Sequence, residues 1–210
     1  MPAGGEALPV ICDVGDRAQV NETVGAAVEA YGRIDVLINN AQGWGLPGDA
    51  APSPPPTPFA EMPEAMWDNT FQTGVKGTFY FCQAVFPHMR ERGGKIVNFG
   101  SPAAVTGVPL MADYCAAKEA IRGMSRSLAR EWGQYGITVN IVCPVVETDA
   151  IRAHRSLDPE RDEVVVRTLP LLRRGDAERD AGPLAVFLAS SDSDYFTGHS
   201  FMLDGGRTMI

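Results

Sequence analysis

Short apolar runs alternate along the chain with longer segments of helical periodicity. Runs rich in Val, Ile and Leu fit strands that are buried on both faces, and they occupy residues 8–12, 34–38, 95–99 and 137–142, with a shorter strand at 199–203. Apolar positions at three- and four-residue spacing predict helices over residues 17–31, 63–92, 112–133 and 176–190. Because strands and helices alternate, the sequence predicts an α/β fold with a doubly wound, mostly parallel sheet.

Several residues mark where these helices should begin and end. Asp16 is a candidate N-cap, and Gly32 suits the left-handed position that ends a helix. Pro63 fits a first helical turn, whereas Pro87 is expected to kink or end the helix that begins there.

Residues 1–210 are expected to form a single domain. Two stretches of it do not fit the alternation of strands and helices. Residues 42–62 are proline-rich and predict an ordered loop with a polyproline segment. This loop leaves the carboxyl end of a strand, where open parallel sheets bind ligands, so it either shapes a substrate mouth or is a surface insertion. Residues 148–175 are polar with weak periodicity and predict a mobile substrate lid.

Composition narrows the functional classes. The 210 residues include 26 acidic and 18 basic side chains, for a net charge of −8, and no Lys/Arg cluster occurs. This balance argues against a nucleic-acid partner, and no apolar run reaches the ~20 residues of a membrane span. The first residues lack a secretory pattern, which predicts a cytoplasmic protein. The four cysteines and three histidines are scattered, so we expect no metal site.

The most informative chemistry lies at Ser101, Tyr114 and Lys118. On a helix, Tyr114 and Lys118 would lie one turn apart on the same face. A nearby ammonium would favour the ionised phenol, which could then act as a general acid or base near neutral pH. The alternative is an ordinary amphipathic helix that pairs a half-buried ring with a solvated lysine.

Together the motifs resemble the short-chain dehydrogenase/reductase family from about Pro9 to Gly206. They agree with the family in order and spacing: Asp13-Val14 and Asn39-Asn40-Ala41 after successive strands, Ser101 thirteen residues before Tyr114, Tyr114-x-x-x-Lys118, Pro144 with Thr148, and the terminal Asp204-Gly205-Gly206. The resemblance implies a Rossmann-like sheet.

The resemblance also implies a role for each matching residue. Tyr114 would exchange a proton with the substrate, Lys118 would lower the pKa of Tyr114 and hold the nicotinamide ribose, and Ser101 would hydrogen-bond the substrate oxygen. NAD or NADP would carry the hydride. The cofactor would contact Asp13 and Val14 at the adenine, Asn39 and Ala41 at the ribose, and Pro144 and Thr148 at the nicotinamide, in addition to Tyr114 and Lys118.

The sequence departs from the family pattern at its amino end. It has no T-G-x-x-x-G-x-G turn, and it begins where the third family strand would be, so we expect an N-terminally truncated sheet lacking its first two strands. Without the residue that selects NAD or NADP, both stay open. We predict that residues 8–12 pair directly with residues 34–39, or that another chain fills the gap, because an uncovered strand edge is costly.

Two further departures lie near the expected site. Gly74 stands where the family carries an asparagine that holds a relay water, and Gln42 replaces a family glycine, with its side chain expected to point toward the cofactor cleft. Three interpretations therefore remain: an NAD(P)-dependent oxidoreductase acting on a small alcohol or ketone, an enzyme that uses the Ser-Tyr-Lys trio for proton transfer without nicotinamide, and a catalytically silent subunit. All three fit a homo-oligomer, since both long helices carry broad apolar faces.

Overall fold

A parallel sheet forms the centre of the molecule. The computed structural model describes residues 4–49, 53–148, 152 and 159–209, and in this part of the chain the strands are β1 (Val36–Asn39), β2 (Gly94–Phe99), β3 (Ile137–Pro144), β4 (Val146–Glu147), β5 (Gly175–Asp176) and β6 (Ser200–Leu203). Four of them pair in the order β1-β2-β3-β6, all parallel, with Ile96 of β2 opposite Leu37 of β1 and Val139 of β3. The predicted α/β class with a parallel sheet is confirmed.

Helices connect the strands. They are α1 (Arg17–Tyr31), α2 (Glu64–Thr70), α3 (Gly77–Met89), α4 (Pro102–Thr106), α5 (Ala112–Trp132), α6 (Pro159–Arg167) and α7 (Gly182–Ala189). The predicted helix over 63–92 is divided by a π-helical segment, Phe71–Lys76, which joins α2 to α3. Pro87 does not end α3, because the helix continues to Met89.

Alternate residues of the strands face two different cores, as in a doubly wound sheet. Ile96 packs with Val85 and Met89 of α3 and with Trp132 of α5 on one side of the sheet. Its neighbour Val97 packs against the other core, which contains Leu188 of α7. Since successive strand residues point to opposite faces, a strand covered by helices on both sides is expected to be mostly apolar, which explains the apolar runs of the sequence.

The predicted strand over residues 8–12 is wrong. This segment forms no strand, and the side chains of Leu8 and Ile11 are 47% and 101% exposed. A cavity of about 150 Å³, lined by Val14 on one side and by β1 residues on the other, separates this end of the chain from β1. Direct pairing with residues 34–39 does not occur, because residues 8–12 form no strand and β1 pairs with β2 in the described part of the chain. Filling of the gap by another chain stays a prediction.

The segment predicted as a lid lies partly outside the described residues. Residues 149–151 and 153–158 belong to the undescribed part, and α6 occupies part of the remainder. Its two ends are joined, because β4 pairs in parallel with β5 through Val146 opposite Gly175 and Glu147 opposite Asp176. The two ends of the polar segment thus lie side by side near the end of β3.

Candidate active site

Ser101, Tyr114 and Lys118 meet at the carboxyl end of β2. Ser101 follows that strand directly and caps α4, where its hydroxyl accepts a hydrogen bond of 3.1 Å from the Ala103 amide. Tyr114 and Lys118 lie one turn apart near the start of α5. The ammonium of Lys118 donates a hydrogen bond of 2.9 Å to the Phe99 carbonyl, which fixes α5 against the last residue of β2.

The three side chains are close enough to act on one another. The side chain of Ser101 lies close enough to the phenol of Tyr114 to favour its ionised form. The Lys118 nitrogen lies 5.8 Å from the centre of the Tyr114 ring. The three residues that the sequence spacing singled out thus place a hydroxyl, a phenol and a cation close together.

Burial governs the protonation of this group. It raises the pKa of Tyr114, while the side chain of Ser101 acts in the opposite direction. It also lowers the pKa of Lys118 to about 8, because the residue is only 6% exposed and its ammonium has lost most of its hydration. Burial thus outweighs the effect of Ser101 at Tyr114 and that of Cys143 at Lys118, and the lowering of the Tyr114 pKa by Lys118 stays a prediction.

A cavity of about 270 Å³ opens in front of these side chains. It is lined by Tyr114, Lys118, Phe99 and Gly100 from β2 and α5, and by residues from the neighbouring loops: Asn40, Gln42, Trp44, Ser53, Pro54, Pro144, Val146 and Thr148. Four of the predicted site residues, Tyr114, Lys118, Pro144 and Thr148, therefore share one cavity.

The other predicted cofactor residues lie around the 150 Å³ cavity beside β1. Val14, Asn39 and Ala41 line it, and Asn40 lines both cavities, so the two are adjacent. Asp13 does not line either cavity; its carboxylate accepts a hydrogen bond from the Gly15 amide.

The carboxamide of Asn39 is engaged inside the protein. It donates a hydrogen bond of 2.8 Å to Asn98 of β2, whose own amide donates one of 2.8 Å to Ser125 of α5. This chain of hydrogen-bonded side chains ties β1, β2 and α5 together. We expect any contact between Asn39 and a cofactor to use its backbone.

The residues fit one half of a dinucleotide better than the other. At the larger cavity, Tyr114, Lys118 and Thr148 supply the hydroxyl and ammonium groups that suit a nicotinamide ribose. A pyrophosphate would need an open helix N-terminus beside β1. In the described part of the chain, the N-terminus of α1 is already capped by the carboxylate of Asp16, which accepts hydrogen bonds from the Ala18 and Gln19 amides and would repel a phosphate.

Trp44 is a lining residue that was not predicted individually. Its ring meets that of Tyr114 edge to face, with centroids 6.1 Å apart. From the sequence, the proline-rich loop was expected to shape the mouth of a site only because it follows the end of a strand. The loop residues that line the cavity are Gln42, Trp44, Ser53 and Pro54. Their position depends on loop packing, which no periodicity reveals.

Neither a membrane span nor a metal centre is found in the described part of the chain. No helix in the described ranges is long and apolar enough to cross a membrane. Among the same residues, no group of three or more Asp, Glu, His or Cys side chains is arranged to hold a metal ion. All four cysteines are free thiols.

Comparison with known proteins agrees with this geometry. Residues 2–208 match the family model described as enoyl-(acyl carrier protein) reductase. The chain is 37% identical over 207 residues to the 12alpha-hydroxysteroid dehydrogenase of a Clostridium species, covering 97% of this chain and 76% of the relative. It is 36% identical over 199 residues to the D-threitol dehydrogenase of Mycolicibacterium smegmatis, covering 94% and 72% of the two chains.

A solved structure shows the same fold. The structure of levodione reductase superposes with a TM-score of 0.87 at 31% sequence identity, over 98% of this chain and 79% of that one. The order and spacing of the motifs, the parallel sheet and the similarity of sequence along almost the entire chain lead to one assignment. The chain belongs to the short-chain dehydrogenase/reductase family of NAD(P)-dependent oxidoreductases.

Proposed function

We propose that the chain interconverts a small alcohol and the corresponding ketone, with Tyr114 as the proton donor and acceptor. The observation that carries this proposal is that Tyr114 and Lys118 line one cavity beyond the end of β2, with the side chain of Ser101 beside Tyr114. When bound, NAD(P) supplies the hydride that joins the carbonyl carbon.

The chain's own residues supply binding and proton transfer. In ketone reduction, the Tyr114 hydroxyl gives its proton to the carbonyl oxygen, and in alcohol oxidation the phenolate takes the proton back. Ser101 orients that oxygen, because its hydroxyl lies beside the same phenol. Lys118 stabilises the phenolate that reduction leaves behind, since its ammonium lies against the Tyr114 ring.

The size and walls of the cavity support a small substrate with an apolar portion. A volume of about 270 Å³ is at the lower end of the range for small-molecule sites. Trp44, Pro54 and Val146 offer apolar surface opposite the polar trio. The relatives named above act on a hydroxysteroid, D-threitol and levodione by their names, so they do not select a single substrate.

The test compares the purified chain with Tyr114→Phe. Consumption of NADH and NADPH is followed at their absorbance maximum with a panel of small ketones, and we expect a loss of at least about 10²-fold in the variant, because the acid is removed. Tyr195→Phe is the matched control, since that ring is 100% exposed, and it should retain full activity. Full activity in Tyr114→Phe would refute the assigned role.

We also propose that copies of the chain associate in the cytoplasm through the face formed by α2 and the π-helical segment. The rings of Trp67 and Phe71 stack there with centroids 5.0 Å apart, beside a surface groove that also includes Lys76. Four free thiols suit a reducing compartment. Sedimentation of the wild-type chain and of Trp67→Ala tests the association, which the substitution should weaken.

A further inference from the structure

The side chain of Gln42 has no assigned role, although it lies at the centre of the site. Both polar atoms of its carboxamide, Oε1 and Nε2, are buried without a hydrogen-bond partner in the described residues. The same side chain lines the 270 Å³ cavity together with Tyr114 and Lys118. Buried amides without partners are rare in folded proteins because they lose hydration and gain nothing, so this one requires an explanation.

The loop that carries Gln42 is held firmly against the π-helical segment. The Gly43 amide donates a hydrogen bond of 3.0 Å to the Thr73 hydroxyl, and the Asn69 amide donates one of 3.1 Å to the Gly45 carbonyl. These contacts fix the backbone immediately after Gln42. Its side chain therefore has a defined position and does not sample solvent freely.

The residue opposite, Gly74, leaves room for this side chain. A Cβ atom at position 74 would lie 2.9 Å from Cδ of Gln42 and 3.0 Å from its Nε2, closer than side chains normally approach. The carboxamide thus occupies the space that a side chain on the π-helical segment would fill. Gly74 and Gln42 thus form a complementary pair, and Gln42 is the member of the pair that lines the cavity.

We propose that Gln42 is a ligand-binding residue that recognises a vicinal diol in this cavity. Its Oε1 accepts a hydrogen bond from one hydroxyl while its Nε2 donates one to the other, which satisfies both buried atoms at once. The proposal rests on the proposed function, and two occupants carry this chemistry: the ribose beside the nicotinamide, and a polyhydroxy substrate.

The test uses Gln42→Met, which keeps the length of the side chain and removes both hydrogen-bonding atoms. Gln134→Met is the matched control, because Gln134 is exposed and donates only to the Glu131 carbonyl. Two quantities are measured: the Kd of NADPH by nicotinamide fluorescence, and the KM for a 1,2-diol relative to that for the matching monohydric alcohol.

If the ribose is the ligand, Gln42→Met raises the Kd of NADPH by about tenfold and leaves the KM ratio of the two alcohols unchanged. If the substrate is the ligand, the Kd stays constant and the preference for the diol falls by about the same factor. An unchanged Kd together with an unchanged KM ratio would overturn the proposal.

Gly74→Ala gives a second, independent variant. The added methyl displaces the flexible end of Gln42 without touching the catalytic trio, so it should reproduce the effect of Gln42→Met. In Gln42→Met the same alanine should add little, because the carboxamide is already gone. Fully additive effects of the two substitutions would contradict the pairing.

The proposed function and the proposed role of Gln42 are refuted by different results. The Kd measurement needs no turnover, so the Gln42 effect on binding persists in a Tyr114→Phe background. A wild-type chain that neither binds NADPH nor oxidises any alcohol would overturn the proposed function and this inference together. A wild-type chain that turns over normally while Gln42→Met changes neither quantity would overturn this inference alone.

Discussion

Replacement of Lys118 by methionine should change how stability depends on pH. The ammonium is buried, and its folded-state pKa of about 8 lies below the ordinary 10.5 expected in the unfolded chain. Keeping this charge in the folded protein at neutral pH therefore costs free energy. From the fall in pKa the cost is about 3 kcal/mol, since each pH unit between the two values corresponds to about 1.4 kcal/mol.

The direction in which the free energy of unfolding changes with pH follows from proton binding. Below pH 8 the lysine is protonated in both states, and the penalty is fully present. Between pH 8 and 10.5 the unfolded chain holds the proton and the folded chain has lost it, so the free energy of unfolding rises with pH. Lys118→Met has no such proton, so the wild type should gain about 3 kcal/mol relative to the variant across this window.

The assay is urea unfolding of both proteins at intervals from about pH 7 to about pH 10.5. Subtracting the two free energies removes the contribution of the other titrating groups. Lys76→Met serves as the control, because Lys76 is exposed, and its difference from the wild type should stay flat. A flat difference for Lys118→Met, or one that falls as pH rises, would show that burial does not govern this lysine.

Three further substitutions test the packing around the site by urea unfolding. Gly100→Ala places a Cβ 2.7 Å from the sulfur of Cys143 and should cost about 1–3 kcal/mol, whereas Gly123→Ala, with open space around it, should stabilise α5 by about 1 kcal/mol. Equal effects of the two alanines would contradict the close packing. Asn98→Ala removes one hydrogen bond to Asn39 and one to Ser125 and should cost about 1–3 kcal/mol. A loss below about 1 kcal/mol would show that water replaces the link.

The sequence was informative wherever a strand is covered on both faces. Residues 95–99 and 137–142 are mostly apolar because helices pack against both sides of β2 and β3. The same pattern failed at residues 8–12, because a strand also needs a neighbouring backbone to pair with, and composition says nothing about that neighbour. Local pattern thus predicts burial more reliably than it predicts pairing.

The candidate site was predictable to the extent that it depends on spacing along single elements. Tyr114 and Lys118 share a helix face, and Ser101 follows the strand beside them, so their meeting could be expected. The edge-to-face contact of Trp44 with Tyr114 and the fit of Gln42 against Gly74 could not, since both arise from a loop held by long-range hydrogen bonds. The rise of the Tyr114 pKa by burial likewise depends on packing.

The central claim is that the Ser101, Tyr114 and Lys118 trio supports hydride transfer to a carbonyl carbon. The most direct measurement is incubation of the chain with a small ketone and NADH or NADPH deuterated at the reactive position, followed by mass spectrometry of the alcohol. We predict one deuterium on the carbinol carbon, formed at least about 10²-fold more slowly by Tyr114→Phe. Alcohol without deuterium, or equal labelling rates in the two proteins, would contradict the account.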